Sequence, residues 1–143
     1  MFTLENREYF KCSAEEKKML VPVIDAIVDI AQVTRKQGLL VLDEKIREMP
    51  DSFTRLGMRL LVDGTDPELV NAMLEIHMVA SSRTGVGLLE QMIIKEGLLS
   101  IQSGETPQYT RKKLYAYLGE DFAAFGDEND DGQLPDMEAQ NNA

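Results

Sequence analysis

The sequence predicts an all-α fold. Three observations carry that expectation. Apolar residues recur at helical spacing over most of the chain, proline and capping residues stand where helices would begin, and no segment alternates strictly between apolar and polar positions. The expected architecture is a long amphipathic helix, two helix–turn–helix hairpins related by a 40-residue internal repeat, and an acidic C-terminal tail.

The elements follow in order. Ser13 with Glu16 three places on is a capping box, so a short helix starts near Ala14 and runs to about Met19. Pro22 fits the first turn of a new helix. From there Val23, Ile24, Ile27, Val28, Ala31, Leu39, Leu42 and Ile46 recur at helical spacing, with polar residues between them. The pattern predicts one long helix to about Glu48, weakened at Gly38 and stopped by Pro50. Gly57 to Leu74 then aligns with Gly97 to Leu114 at an offset of forty residues. In each copy a helix ends at a glycine (Gly64, Gly104), Asp66 or Thr106 caps the next helix, and Pro67 or Pro107 takes its first position. Between the copies, Val70, Met73, Leu74, Met78 and Val79 continue a helix to about Ser81. Ser82 to Val86 reads as a turn, and Leu88, Leu89, Met92, Ile93 and Leu99 form the next apolar stripe. A short helix is expected at Asp121 to Phe125.

Composition excludes several classes. The longest run free of Asp, Glu, Lys and Arg is eight residues, Gly97 to Gly104, against the roughly 20 apolar residues of a spanning helix, so no membrane span is expected. Glu5, Arg7, Glu8 and Lys11 crowd the start of the chain, which does not read as a secretory signal. One cysteine, Cys12, and one histidine, His77, supply neither an internal disulfide nor a His/Cys zinc site, and a cytoplasmic setting is expected. The net charge of −10 is uneven: residues 120–143 hold eight acids and no base, while residues 1–119 are nearly balanced. The chain therefore divides into a helical domain, 1–119, and an acidic tail, 120–143, expected to be disordered. Nucleic acid is not an expected partner, because phosphate binding draws on clustered Lys and Arg. No nucleophile, base and orienting group can be assembled, so the chain does not read as an enzyme.

The tail segment Asp127 to Glu138, DENDDGQLPDME, fits a calcium-loop pattern. Asp127, Asn129, Asp131, Gln133 and Glu138 would supply the oxygens. Pro135 offers no side-chain oxygen, and only five residues follow Glu138, so an ordinary acidic tail is the competing reading. Calcium is the one cofactor the sequence raises.

The run from Val33 to Glu75, VTRKQGLLVLDEKIREMPDSFTRLGMRLLVDGTDPELVNAMLE, resembles the cytoplasmic loop of the flagellar stator family MotA. The run from Met92 to Leu118, MIIKEGLLSIQSGETPQYTRKKLYAYL, is similar to that family's cytoplasmic C-terminal segment. The VDGTDPE turn is the most specific piece. The family carries membrane helices between these segments, whereas here sixteen residues, Ile76 to Gln91, join them, so ion translocation is not carried over. The resemblance implies contact with the flagellar rotor switch protein through an arginine and, eight residues on, an acidic residue. Those positions are Arg35 and Asp43, with Lys36 and Glu44 beside them. Read without the resemblance, the same four residues are an ordinary solvated helix face. The expected function is a MotA-like, non-enzymatic interaction module that contacts motor components or forms a homo-oligomer. The alternative is a standalone adaptor or regulator unrelated to motility, working through its acidic tail and responding to calcium.

Overall fold

The computed structural model describes residues 1–127. Among these residues every regular element is helical. A 3-10 turn at Arg7–Phe10 precedes α1 (Ala14–Lys18), α2 (Val21–Gln37), a second 3-10 turn (Leu39–Val41) and α3 (Leu42–Ile46). Then come α4 (Ser52–Val62), α5 (Pro67–Ser81), α6 (Val86–Ser103), α7 (Pro107–Ala116) and α8 (Glu120–Gly126).

The helix starts obey local chemistry. Ser13 and Glu16 form the reciprocal capping box of α1. Asp51 and Thr106 each accept a bond from the backbone N–H three residues on, at Thr54 and Tyr109. Pro67 and Pro107 open α5 and α7, where a missing N–H costs nothing. Asp66 departs from expectation: its side chain makes no capping bond to α5.

The long helix expected to reach Glu48 does not form. It stops at Gln37, because Gly38 adopts φ 88° and ψ 169°, a conformation essentially reserved for glycine. The chain turns there, makes a 3-10 turn, and resumes as the short α3. The break keeps Leu42 and Ile46 buried, at 0% and 7% exposure, while taking them off the axis of α2. The boundary expected at 119/120 also moves. The segment α8 buries Phe122 and Phe125, with Phe125 stacked on Tyr115 of α7, and Arg111 Nε donates to the Phe125 carbonyl at 3.0 Å, so the packed body includes α8.

At the centre lies α6. It touches α2, α4, α5 and α7, and residues 91–95 are buried without interruption. Such burial all round requires a helix with no solvent face. Its buried polar residues are Gln91, Lys95 and Ser100; the Lys95 ammonium donates to Asn71 Oδ1 at 2.7 Å and Glu75 Oε1 at 2.9 Å, both on α5, and lies 3.3 Å from Glu96. The paired carboxylates keep part of their surface in water, which softens the cost of burying the ammonium. On the opposite side, Asp25 of α2 accepts from Tyr115 Oη at 2.7 Å and Arg111 Nη1 at 3.3 Å, fastening α2 to α7.

Two glycines set how closely α6 is approached. A Cβ on Gly97 would stand 2.6 Å from Ile27 Cγ2 of α2, a branch fixed to its own Cβ. A Cβ on Gly57 of α4 would collide with Leu98 of α6. Gly87, in the first turn of α6, has only the flexible Arg83 side chain nearby, at 3.5 Å or more.

Gly97→Ala is therefore expected to destabilise the fold by about 1–3 kcal/mol, the overpacking cost exceeding the helix-propensity gain. Gly87→Ala, with the same propensity gain and no clash, leaves stability unchanged or raises it by up to about 1 kcal/mol. Urea unfolding of both variants checks the contrast. A second expectation concerns acid. The Lys95 hydrogen bond holds the Glu75 carboxyl below its usual range. Burial pushes Glu105 up, but hydrogen bonds from Ser100 and Lys113, with the Lys113 charge, lower it overall. A carboxyl lowered in the folded state favours folding above its unfolded pKa of about 4.3, and that contribution vanishes as pH falls through the lower folded-state value. The urea midpoint is expected to fall as pH drops below about 4.3, and to fall less steeply in the Glu75→Gln/Glu105→Gln double variant.

Candidate functional site

The expected contact residues sit at the corner between α2 and α3. Arg35 and Lys36 occupy the last turn of α2, and Asp43 and Glu44 the first turn of α3. Each pair complements the dipole of its own helix end, basic at a C-terminus and acidic at an N-terminus. The expectation that Arg35 and Asp43 share one helix face requires correction, since Gly38 interrupts the helix between them. The corner still holds all four side chains, each exposed to solvent.

Two of the four are also bound inward. Arg35 Nη1 donates to the Gly104 carbonyl at 2.9 Å, reaching the turn between α6 and α7. Asp43 Oδ1 accepts from Arg59 Nη1 of α4 at 3.1 Å, with both side chains about half exposed. Between the charged pairs stands Leu40, 76% exposed. Sequence periodicity gave no sign of it, because it lies in the 3-10 turn that the Gly38 break creates.

The expected structural turns gather at the same end. Gly64 and Gly104 both take positive φ, 74° and 76°, where a glycine closes a helix without strain. The turns carry matching bonds. Gly64 N–H donates to Leu61 and Thr65 N–H to Leu60, while Gly104 N–H donates to Ile101 and Glu105 N–H to Ser100. Gln102 Nε2 donates to the Thr65 carbonyl at 2.6 Å and links the two turns. The C-terminal ends of α2, α4 and α6 thus lie close to one another, with Arg35 donating to the Gly104 carbonyl at the end of α6.

The other singled-out residues take plain positions. His77 is exposed on α5. Cys12 is half-buried, and burial pushes its thiol up, away from the reactive thiolate, with Lys17 opposing and Glu16 assisting. Met58, Met78 and Met92 are core, whereas Met19 and Met73 are exposed. Of the calcium-loop oxygens, Asn129, Asp131, Gln133 and Glu138 lie outside the described residues. Asp127, at their edge, has Oδ1 3.3 Å from Lys112 Nζ. Lys95 and its carboxylate partners were missed from the sequence, where a single lysine inside an apolar stripe gives no signal of burial.

Comparisons with known proteins find relatives that match part of the chain. It is similar to Motility protein A of Borreliella burgdorferi, 41% identical over 58 residues, which are 41% of this chain and 22% of that protein. It is 34% identical over 70 residues to Motility protein A of Treponema pallidum, covering 47% of this chain and 27% of the relative. With Motility protein A of Helicobacter pylori the identity is 38% over 55 residues, 38% of this chain and 21% of that one. The chain spans about a fifth to a quarter of the length of these curated relatives. No protein-family model matches it, and no solved structure does. Among the described residues no helix is long and apolar enough to cross a membrane. Through this shared segment the chain is related to the Motility protein A family.

Proposed function

We propose that this chain is a non-enzymatic helical interaction module of the flagellar motor, contacting a rotor component through the α2–α3 corner. Kinship with Motility protein A supports a motility-related, stator-like role. The observation that carries the contact reading is the corner itself. The exposed Leu40 stands between a basic pair, Arg35 and Lys36, and an acidic pair, Asp43 and Glu44. A partner helix bearing opposite charges around a small apolar patch would complement it. Exposed ion pairs contribute only about 0–1 kcal/mol each, so such a contact forms and breaks readily. The absence of an ion-conducting role rests on the same reading: the corner offers recognition and no path for an ion.

The test is a binding titration against the C-terminal domain of the rotor switch protein, at low and high salt. Binding is expected to weaken at least tenfold in the Arg35→Ala/Asp43→Ala double variant, and to weaken with added salt. Leu40→Ser is expected to reduce it as well. The three positions are exposed, so each of these variants should keep its unfolding free energy within about 1 kcal/mol of the parent. Binding that survives all three substitutions, or no binding by the folded parent, would sink the proposal. Removal of residues 128–143, which leaves α8 intact, separates a tail-borne contact from this one.

A further inference from the structure

Helix α5 has an apolar face that no other described residue covers. Its inner side is core: Val70, Leu74 and Met78 are 0–1% exposed. Its outer side carries Leu69, Met73, Ile76 and Val79 at 41–69% exposure, with Ala72 and Ala80 exposed among them. No charged side chain interrupts that row. Glu68, Asn71 and Glu75 flank the row on one side and His77 on the other. The positions 69, 73, 76 and 80 repeat every three to four residues, the spacing of a helix–helix seam. A contiguous exposed apolar strip of this kind marks an interaction surface.

We propose that α5 is the interface of an antiparallel dimer of this chain, each copy covering the other's outer face. The row is complementary to itself in that orientation. With the crossing point between Leu74 and Glu75, Met73 of one copy meets Ile76 of the other, and Leu69 meets Ala80, large against small. The charges at the two ends choose the direction. Asp66 precedes α5 and leaves its carboxylate out of the helix cap; Arg83 follows α5 and is exposed. Antiparallel pairing sets Asp66 against Arg83 at both ends, while parallel pairing would set like against like. An apolar cavity of about 340 Å³ lies beside Val79, lined by Tyr9, Phe10, Met78 and Leu88 among others, at the end of the helix where the second copy's Leu69 arrives. A two-fold axis makes each of these contacts occur twice. The surface differs from the α2–α3 corner, so its fate is independent of the rotor-contact reading.

Sedimentation equilibrium of the full chain over a concentration series tests this. The parent is expected to shift from monomer to dimer as concentration rises, and Ile76→Glu to weaken the dimer at least tenfold while retaining the parent's circular dichroism, since Ile76 is 62% exposed. Asp66→Arg and Arg83→Asp are each expected to weaken it, and the two together to restore it. A parent that stays monomeric to about 0.3 mM, where even a weak micromolar dimer would be formed, overturns the proposal. So does a dimer indifferent to Ile76→Glu, or a charge exchange that fails to restore what its single variants lost.

Discussion

The rest of the structure depends on the need to surround α6. A helix with buried residues on every side cannot form alone in water, because its apolar surface is worth about 25 cal/mol per Å² once covered. The neighbours α2, α4, α5 and α7 are the cover. Their approach is limited by backbone rather than by side chains at Gly57 and Gly97, where α4 meets Leu98 and α6 meets Ile27. Close helix approach at glycine leaves less volume to fill, and the core is completed by Leu74 and Leu114, each beside one of the two glycines. The same relation, glycine to the leucine seventeen residues on, holds in both halves of the sequence repeat.

Lys95 shows what this enclosure demands of a polar group. A lone ammonium inside the bundle would be costly. Here it is given three oxygen partners on α5 and α6, and two of them belong to carboxylates that still reach water. The arrangement fixes the rotation of α5 about its own axis: Asn71 and Glu75 must face α6. With that side committed, Leu69, Met73, Ile76 and Val79 are turned outward. The exposed apolar row thus lies opposite a side committed to the core by Val70, Leu74 and Met78 and to Lys95 by Asn71 and Glu75.

The parts of the fold that were legible in the sequence are those set by local chemistry. The Ser13–Glu16 box, the opening prolines and the positive-φ glycines at 64 and 104 each act over three or four residues, and each appears where the pattern put it. What was not legible depended on partners distant in the chain. Gly38 read as a weak point within a helix, but whether a glycine weakens or ends a helix depends on what the following residues can bury, and Leu42 and Ile46 are buried beyond a turn. Met73 and Val79 read as one stripe with Val70, Leu74 and Met78. Periodicity reports that a helix is apolar; its inward side is marked by contacts distant in the chain, such as the bond from Lys95 to Asn71, twenty-four residues away. The site was readable as a set of charges and not as a geometry, since Arg35 and Asp43 take their inward partners from Gly104 and Arg59.

Those inward partners bear on how the α2–α3 corner would work. Arg35 donates to a carbonyl at a helix end and Asp43 accepts from an exposed arginine, so neither charge waits unsatisfied in solvent. Binding a partner then exchanges one hydrogen bond for another of similar strength, and the net gain per charged residue is small. Selectivity survives such an exchange, because a like charge brought to the corner is penalised while an opposite one is merely accommodated. Affinity does not survive it, and must come from the apolar area around Leu40, which is modest. A contact built this way is selective and short-lived, as repeated engagement with a moving partner requires. The α5 row is balanced differently: its charges, Asp66 and Arg83, stand only at its two ends, and a larger apolar area lies between them. On the two proposals, one surface would serve a lasting association and the other a transient one.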